Sequence, residues 1–510
     1  MNSQSKKLDS RNIIFHPLYG LFERKISNCW LIAIVIVGHF YAIFFFGATF
    51  WVDSEAYIYL SQLFESAQKA QSIMNDPKLW IYTDHIPLGE PFIWYLVSKL
   101  PTSLIWPAMA FTQHFISALA QIYLFSTLNA IRSGRLLVIP SLLMSFFPFY
   151  QAMHNSLMTE AISGACFLVA LTACLRLAYA PRTRDYVYLA FSGFGAFFRV
   201  YLVIVPFFSL FLLLIFRKTT FVKTVVMGCF CIVGLALSPV IFWRMASQVW
   251  IPGLGMNTMW QDSVFAPATP PVVTAYVDTL SWPDEATKQR LLSGDFSRFD
   301  TIAVSVFWQK IGIARKQAFN ISKKIGTLFL EQPGQWKKQI TAALVCMGIP
   351  EARLLPLDWQ HTRQPDRKKG YARQMGSYKF FSWVAPDKSQ YNALSSLPYF
   401  HDGPEHLLMK AAWQPYLNFS SPERLRDPLG LSRISPGFWA LLGLAACIYM
   451  LKRGDILPSA LFIGSFLLLF FSFYSVNIPS IRYSYLAFPL YFTAFAAAMV
   501  MPRCRGKRID

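Results

Sequence analysis

Five ionisable residues stand at the edges of strongly apolar stretches, and their types suit the transfer of a group from a phosphate-bearing donor. Asp53 and Glu55 occur in WVDSEAY, Glu160 in HNSLMTEAISG, Arg199 in FFRVYLVIVP and Arg482 in IPSIRYSYLAFPLY. A carboxylate at a partly dry boundary can act as a general base or hold a cation. An arginine there can hold a phosphate through paired hydrogen bonds. The alternative role for each residue is a helix cap or a headgroup anchor.

The apolar stretches beside these residues dominate the chain. Of its 510 residues, 54% are hydrophobic and only 15% are charged, whereas soluble domains carry about 25% charged residues. The mean hydropathy is +0.37. Since a membrane helix needs about 20 apolar residues to cross the hydrocarbon, this composition predicts an all-α polytopic membrane protein and excludes a disordered, collagen-like or disulfide-stapled chain.

Uncharged apolar runs predict ten membrane spans. They lie near residues 30–51, 103–128, 135–150, 159–176, 186–198, 200–216, 224–243, 436–451, 456–474 and 484–501. The first span is too long, and too far from the N-terminus, for a cleaved signal peptide.

Lys and Arg residues in the short loops predict the orientation of these spans. With the N-terminus inside, the inner segments carry nineteen basic and five acidic residues, whereas the outer short segments carry five basic and seven acidic residues. Both termini are therefore expected in the cytoplasm, and the five residues above are expected on the outer face. The net charge of +20 then reflects membrane topology, so no nucleic-acid partner is expected. The expected location is the inner membrane of a bacterium, with a site facing the periplasm.

The same pattern divides the chain into five regions. Residues 1–29 and 503–510 form cytoplasmic tails, and residues 30–243 form a catalytic membrane module with an acidic first outer loop at 52–102. Residues 244–434 are polar and rich in proline, which predicts a large and mostly helical extracytoplasmic domain inserted before the last three helices at 435–502. Within it, 301–316 and 336–349 resemble amphipathic helices, either at the membrane interface or packed in the domain.

Other polar residues and cysteines of the membrane module have different expected roles. His154 lies in the outer loop beside Glu160 and is a candidate for substrate binding. His114 lies deep in the second span, where a buried neutral histidine bonded to a neighbouring helix is expected. The pair Cys229 and Cys231 has no histidine nearby in the sequence, so packing is expected there instead of a metal site.

Six segments, in order, resemble the GT-C superfamily of polytopic glycosyltransferases, which use polyprenyl-phosphate-linked sugars. They are WVDSEAYIYLSQ, HIPLGEPFIWYLV, TQHFISALAQIYLF, FPFYQAMHNSLMTEAISGACFLVALTACLRL, FRVYLVIVPFFSLFLLL and RYSYLAFPLYFTAFAAA. The resemblance covers about 30–240 and 436–501 and leaves 244–434 unmatched.

The resemblance implies a GT-C-like fold and an inverting sugar transfer from a polyprenyl-phosphate donor to an extracytoplasmic glycan, lipid or protein. It implies that Asp53 is the catalytic base. Glu55 and Glu160 would bind the acceptor or a divalent cation, Mg²⁺ or Mn²⁺, and the need for a metal stays open. Arg199 or Arg482 would hold the donor phosphate.

The chain departs from the family pattern at two points. Its acids are spaced Asp-Ser-Glu instead of adjacent, and Asp84 and His85 stand where the family often has a lysine. Either His85 contacts the phosphate there, or the 244–434 domain does.

Two other functions stay open at this stage. One is a glycan ligase or polymerase with a lipid-diphosphate donor. The other is a transporter or flippase of lipid-linked sugars, although transporters concentrate polar residues and broken helices at the midplane of the bilayer.

Overall fold

A computed structural model gives the fold of the protein. It describes residues 26–46, 54–75, 88–132, 134–155, 158–234, 236–237, 271–282, 284–292, 321, 324, 327–328, 331, 335–349, 436–476 and 485–500. The described part is mostly helical and contains no strand, which confirms the all-α prediction for these residues.

The N-terminal module contains twelve α-helices among the described residues. They are α1 (Asn28–Phe46), α2 (Ser54–Ser61), α3 (Ala67–Asn75), α4 (Gly89–Val97), α5 (Thr102–Ile131), α6 (Val138–Phe146), α7 (Pro148–Met153), α8 (Glu160–Tyr179), α9 (Thr183–Ser192), α10 (Gly195–Phe198), α11 (Ile204–Ile215) and α12 (Phe221–Cys231). Short 3-10 turns follow α2, precede α6 and follow Arg199.

Six further helices are described in the rest of the chain. They are α13 (Pro271–Asp278), α14 (Glu285–Leu292), α15 (Gln335–Cys346), α16 (Pro436–Lys452), α17 (Ile456–Val476) and α18 (Ala487–Val500). The first three belong to the 244–434 segment, so this segment is helical where it is described.

Three helices are long and apolar enough to cross a membrane, at Pro107–Ile131, Glu160–Tyr179 and Ile456–Tyr474. Six shorter apolar helices accompany them in the described part of the chain. Each of the ten predicted apolar stretches contains a helix. The three long helices therefore support an association of the protein with a membrane.

Helix α8 lies at the centre of the bundle. It packs against α5, α9, α11 and α18, and 89% of its apolar window is buried inside the protein. Small residues allow this close packing: a Cβ at Gly164 would lie 2.6 Å from Cε1 of Tyr485, which directly precedes α18. At 1.5 Å per residue, the 20 residues of α8 span about 30 Å.

The helices are broken at two points, one inside the predicted span 135–150 and one at the predicted boundary between the spans 186–198 and 200–216. Phe147 has an extended backbone (φ −70°, ψ 112°) and separates α6 from α7. Between α9 and α11 the chain forms only α10 and a 3-10 turn, and Arg199 between these two has an extended backbone (φ −148°, ψ 109°). The second break carries the Arg199 side chain to the start of α8.

Helix α15 docks a part of the 244–434 segment onto the apolar bundle. It packs against α17, and the backbone carbonyl of Met347, just after α15, accepts a 2.7 Å hydrogen bond from the Tyr491 hydroxyl of α18. Gln339, Ala343 and Cys346 are buried, whereas Trp336 is exposed. This arrangement confirms an amphipathic helix in 336–349; the other predicted one, 301–316, lies outside the described residues.

Candidate functional site

The start of α8 carries a buried ion pair. The guanidinium Nη2 of Arg199 donates to Oε1 of Glu160, and the Glu160 side chain is fully buried. The hydroxyl of Thr159 donates to the other carboxylate oxygen of Glu160 at 3.3 Å. The N-terminus of a helix also favours a negative charge. Two residues predicted for the same boundary are thus brought into direct contact.

A second buried carboxyl, Glu90, lies beside this pair. It lies in the first turn of α4 and accepts a 3.2 Å hydrogen bond from Nε2 of Gln113 on α5. Burial, and then the charge of Glu160, raise the pKa of Glu90 well above its ordinary range. This shift favours the neutral form of the Glu90 carboxyl. Sequence reasoning missed Glu90 and Gln113.

Tight packing explains why α4 lies next to Arg199. A Cβ at Gly89 would lie 2.7 Å from the carbonyl oxygen of Phe197 and 2.6 Å from Cδ1 of Phe198, and these two residues directly precede Arg199. Helix α2 packs on α4 in turn. Because Asp53 is the residue before α2 in the sequence, the acidic motif leads into a helix that rests on the Glu90 helix. We call Glu90, Gln113, Glu160 and Arg199 the glutamate site.

Three buried histidine rings form a cluster within the bundle, with centroids 4.9 to 5.3 Å apart. His39 of α1 lies 2.9 Å from the side-chain amide of Gln121 through Nε2, and 2.9 Å from Nδ1 of His114 through Nδ1. An imidazole that accepts at Nε2 carries its proton at Nδ1, so His39 donates to His114. The prediction for His114 is confirmed, with α1 as the neighbouring helix.

His154 joins this histidine cluster to the start of α18. Its Nε2 lies 3.0 Å from the hydroxyl of Tyr485, and its Nδ1 lies 3.3 Å from the backbone carbonyl of Gln151. Burial lowers the pKa of His154 to about 3, so the ring is neutral. Tyr485 stacks on Tyr150 at 4.9 Å and also lies within electrostatic range of Glu160. His154, Tyr485 and Glu160 therefore belong to one connected polar region.

The opposite end of α8 carries a different set of charges. Asp185 accepts hydrogen bonds of 2.9 Å from the Tyr123 hydroxyl and of 2.9 Å from the backbone N–H of Arg182. Nε of Arg176, in the last turn of α8, lies 3.8 Å from the same carboxylate.

The structure describes some of the predicted site residues and not others. His154, Glu160 and Arg199 are buried or nearly so and lie in the region above. Glu55 is in the first turn of α2, but its side chain lies outside the described residues, as do Asp53, Asp84, His85 and Arg482. Their roles remain predictions.

The predicted divalent-cation site is described only in part. Glu160, a predicted metal ligand, is paired with Arg199, and the described residues contain no group of three His, Cys, Asp or Glu that could hold a metal ion. The ring nitrogens of His39 and His154 contact other protein groups. The side chain of Glu55, the other predicted ligand, lies outside the described residues, so the metal stays a prediction.

Sequence reasoning also missed His39, Gln121 and Tyr485. A usable signal was present, because His39 interrupts the apolar run LIAIVIVGHFYAIFFF and Gln121 interrupts FISALAQIYLF. A polar side chain inside an apolar span costs free energy, so such side chains usually pair with one another.

Comparison with known proteins returned no relative. No family model matches the chain, and no curated protein or solved structure is significantly similar to it.

Proposed function

We propose that the protein is an integral-membrane glycosyltransferase that moves a sugar from a polyprenyl-phosphate donor to an extracytoplasmic acceptor. In this proposal the chain crosses the membrane ten times with both ends in the cytoplasm. The start of α8 then faces the periplasm, where lipid carriers must bring the activated sugar. Residues 244–434 bind the acceptor and determine its identity.

The geometry of the glutamate site is the observation that carries this proposal. A nearly buried arginine, fixed by Glu160, lies beside α4, and α4 packs against α2, the helix that follows the acidic motif in the sequence. Transfer from a sugar phosphate requires a cation for the phosphate and a base for the acceptor, and Arg199 and Asp53 are the candidates for these roles.

The reaction proposed is a single displacement. Asp53 accepts the proton of the acceptor hydroxyl as the acceptor oxygen bonds to the anomeric carbon. The bond from that carbon to the phosphate oxygen breaks, and polyprenyl phosphate leaves with the electron pair. The configuration at the anomeric carbon is inverted.

Arg199 stabilises the phosphate as it gains charge, with Arg482 as the second candidate for this role. Glu160 acts through Arg199: its carboxylate holds the guanidinium plane in a fixed orientation. Preorganised donors of this kind are effective because they need no rearrangement during the reaction. Glu160 is then a positioning residue instead of the metal ligand that the family resemblance implied.

Transport of a lipid-linked sugar is the second candidate function, and two observations favour it. The histidine cluster lies within apolar helices, and the chain is broken around Arg199. Polar groups and broken helices inside the bundle are typical of transporters. The charged residues of the glutamate site lie at a helix start instead, which favours the transferase.

The test is an assay of product release by the purified full chain in nanodiscs. We expect undecaprenyl phosphate to be released from an undecaprenyl-phosphate sugar when cell-envelope acceptors are added. Asp53→Asn should lower turnover at least about 100-fold, the lower end of what a positioned general base contributes. Glu65→Gln, an exposed carboxylate of the same loop, should leave turnover unchanged.

The outcomes separate the candidates. Wild-type turnover in Asp53→Asn would refute the base assignment. Release of undecaprenyl diphosphate from a diphosphate-linked glycan would identify a ligase or polymerase. Movement of labelled lipid-linked sugar across proteoliposomes without release of either product would refute the enzyme and support transport.

A further inference from the structure

Glu90 is a buried carboxyl with one oxygen in need of a partner. Its side chain is fully buried, and Gln113 donates to Oε1 at 3.2 Å. Oε2 has no hydrogen-bond partner among the described residues. Buried polar atoms in folded proteins are almost always hydrogen-bonded, so an atom of a ligand is the expected partner of Oε2.

The charged and polar groups around Glu90 indicate which chemical class of ligand would bind there. The charged groups described around it are Glu160 and Arg199, which pair with each other. Gln113 is uncharged, and burial together with the charge of Glu160 raises the pKa of Glu90, which favours its neutral form. A neutral carboxyl offers one O–H donor together with acceptor oxygens. A sugar hydroxyl, which both donates and accepts, matches this group.

The location of Glu90 fits the sugar of a donor held at Arg199. Gly89 is in close contact with Phe197 and Phe198, immediately before Arg199. The rings of Phe92 and Phe197 also contact each other, with centroids 6.4 Å apart. In a sugar phosphate the ring is joined to the phosphate through a single oxygen, so a phosphate at Arg199 leaves its sugar within reach of α4.

We propose that Glu90 and Gln113 form a subsite for hydroxyl groups of the transferred sugar, next to the phosphate-binding Arg199. The inference rests on the proposed function and adds a substrate class to it, a neutral sugar with adjacent free hydroxyls. Carboxyl and amide side chains held side by side supply the donors and acceptors that such a pair of hydroxyls requires. Phe92 and Phe197 provide an apolar wall.

The test compares two classes of probe on the full chain in nanodiscs. One is undecaprenyl phosphate, and the other is undecaprenyl phosphate carrying glucose, mannose or galactose. Affinities are measured by isothermal titration. Glu90→Leu should weaken the best sugar-bearing probe about tenfold to hundredfold, as expected for the loss of a buried hydrogen-bonding group. Its affinity for undecaprenyl phosphate should change less than twofold.

Two further variants test whether the loss of affinity comes from the hydrogen-bonding groups of Glu90. Glu90→Gln keeps a donor and an acceptor and should retain the affinity for the sugar-bearing probe within about threefold. Glu65→Leu, at an exposed position in the same loop, should change neither affinity. If Glu90→Leu does not fold, Gln113→Leu gives the same comparison from the other half of the subsite.

The outcomes distinguish this inference from the proposed function. If the wild-type protein prefers no sugar-bearing probe to undecaprenyl phosphate, the proposed function fails. If it prefers one and Glu90→Leu retains that preference, only the sugar subsite is refuted. An equal loss of affinity for both classes in Glu90→Leu would also refute the subsite, because it would reveal a purely structural role.

Discussion

The two ends of α8 both carry buried ion pairs, but the pairs are built differently. At the C-terminal end, Asp185 has three partners, from Tyr123, Arg176 and the backbone of Arg182. At the N-terminal end, Glu160 pairs with Arg199, while Glu90 lies beside them with one oxygen that has no hydrogen-bond partner among the described residues.

Under the proposed function, this difference separates a structural pair from a functional one. Asp185 is satisfied by residues of α5 and of the α8–α9 turn, so the contact fastens neighbouring helices together. The glutamate site brings α4, α5, α8 and the break before α11 together and holds a second buried carboxyl, Glu90, whose Oε2 has no hydrogen-bond partner among the described residues. A buried polar atom without a partner is costly for folding alone, which supports the inference that a ligand completes the site.

The largest expected effect comes from neutralising each pair completely. Replacing both partners of a buried pair is often nearly neutral for stability, so Glu160→Gln/Arg199→Gln and Arg176→Gln/Asp185→Asn should both fold. We expect the first double variant to lose at least about 100-fold in sugar transfer, comparable to loss of a transition-state donor. The second should keep wild-type transfer.

Turnover by the product-release assay, together with thermal melting in nanodiscs, checks this contrast. Equal turnover in the two double variants would show that the ends of α8 do not differ in function.

A single substitution in either buried pair should lower the free energy of unfolding, and Asp185→Asn tests this at the C-terminal end of α8. Asp185→Asn leaves Arg176 without its carboxylate partner, and removal of one member of a buried pair costs about 3–5 kcal/mol. Denaturation of the purified protein should show this loss, and adding Arg176→Gln should recover most of it. If Asp185→Asn lowers the free energy of unfolding by less than about 1 kcal/mol, the pair contributes no more than an exposed salt bridge does.

The pH dependence of stability should have opposite signs for two residues near the start of α8. The stability that protonated Glu90 contributes is complete below its unfolded pKa of about 4.3 and is lost as the pH rises through its raised folded pKa. For His154, stability is complete above the unfolded pKa of about 6.5 and is lost as the pH falls toward the folded value of about 3.

Melting temperatures measured between pH 4 and pH 9 check both signs. Each group contributes up to about 1.4 kcal/mol per pH unit within its window. Glu90→Gln should flatten the alkaline decline, and His154→Gln should flatten the acid decline. If either variant keeps the wild-type slope, the corresponding residue is not neutral in the folded protein.

The smallest effect is expected for Tyr485→Phe. This change removes the hydroxyl that lies 3.0 Å from Nε2 of His154 and keeps the ring that stacks on Tyr150. Loss of one neutral hydrogen bond should cost about 1 kcal/mol, visible as a small drop in melting temperature. Tyr474→Phe at the end of α17 serves as the control, and an equal drop in both would contradict a specific bond to His154.

Much of the helix pattern could be predicted from the sequence, because a membrane helix needs a run of about 20 apolar residues and such runs are visible in the sequence. Glu160 was predicted to open a helix, and α8 begins at Glu160. The break at Phe147 was not predicted, since the residues there are as apolar as the span around them, whereas the break at Arg199 coincides with the gap between the predicted spans 186–198 and 200–216. Hydropathy gives no information about where the backbone of an apolar segment changes direction.

The candidate site could be predicted only in part. Charged residues such as Glu160 and Arg199 stand out beside apolar runs, and their grouping was expected, but their direct pairing depends on the break before α11. Glu90 looked like an ordinary loop carboxylate because its burial depends on contacts of α4 with Gln113 and with Phe197 and Phe198. Such contacts leave no periodic pattern in the sequence.

The contact between His154 and Tyr485 joins residues that are 331 positions apart. During synthesis, α1 to α12 and the whole 244–434 segment emerge before Tyr485 does, so the polar region around His154 stays incomplete until residue 485 has been made. Until then its histidines lack their last partner, and α8 lacks the ring that covers Gly164. A chain truncated before α18 should therefore be recognised by quality-control proteases as unfinished, even though most of its helices have already been made.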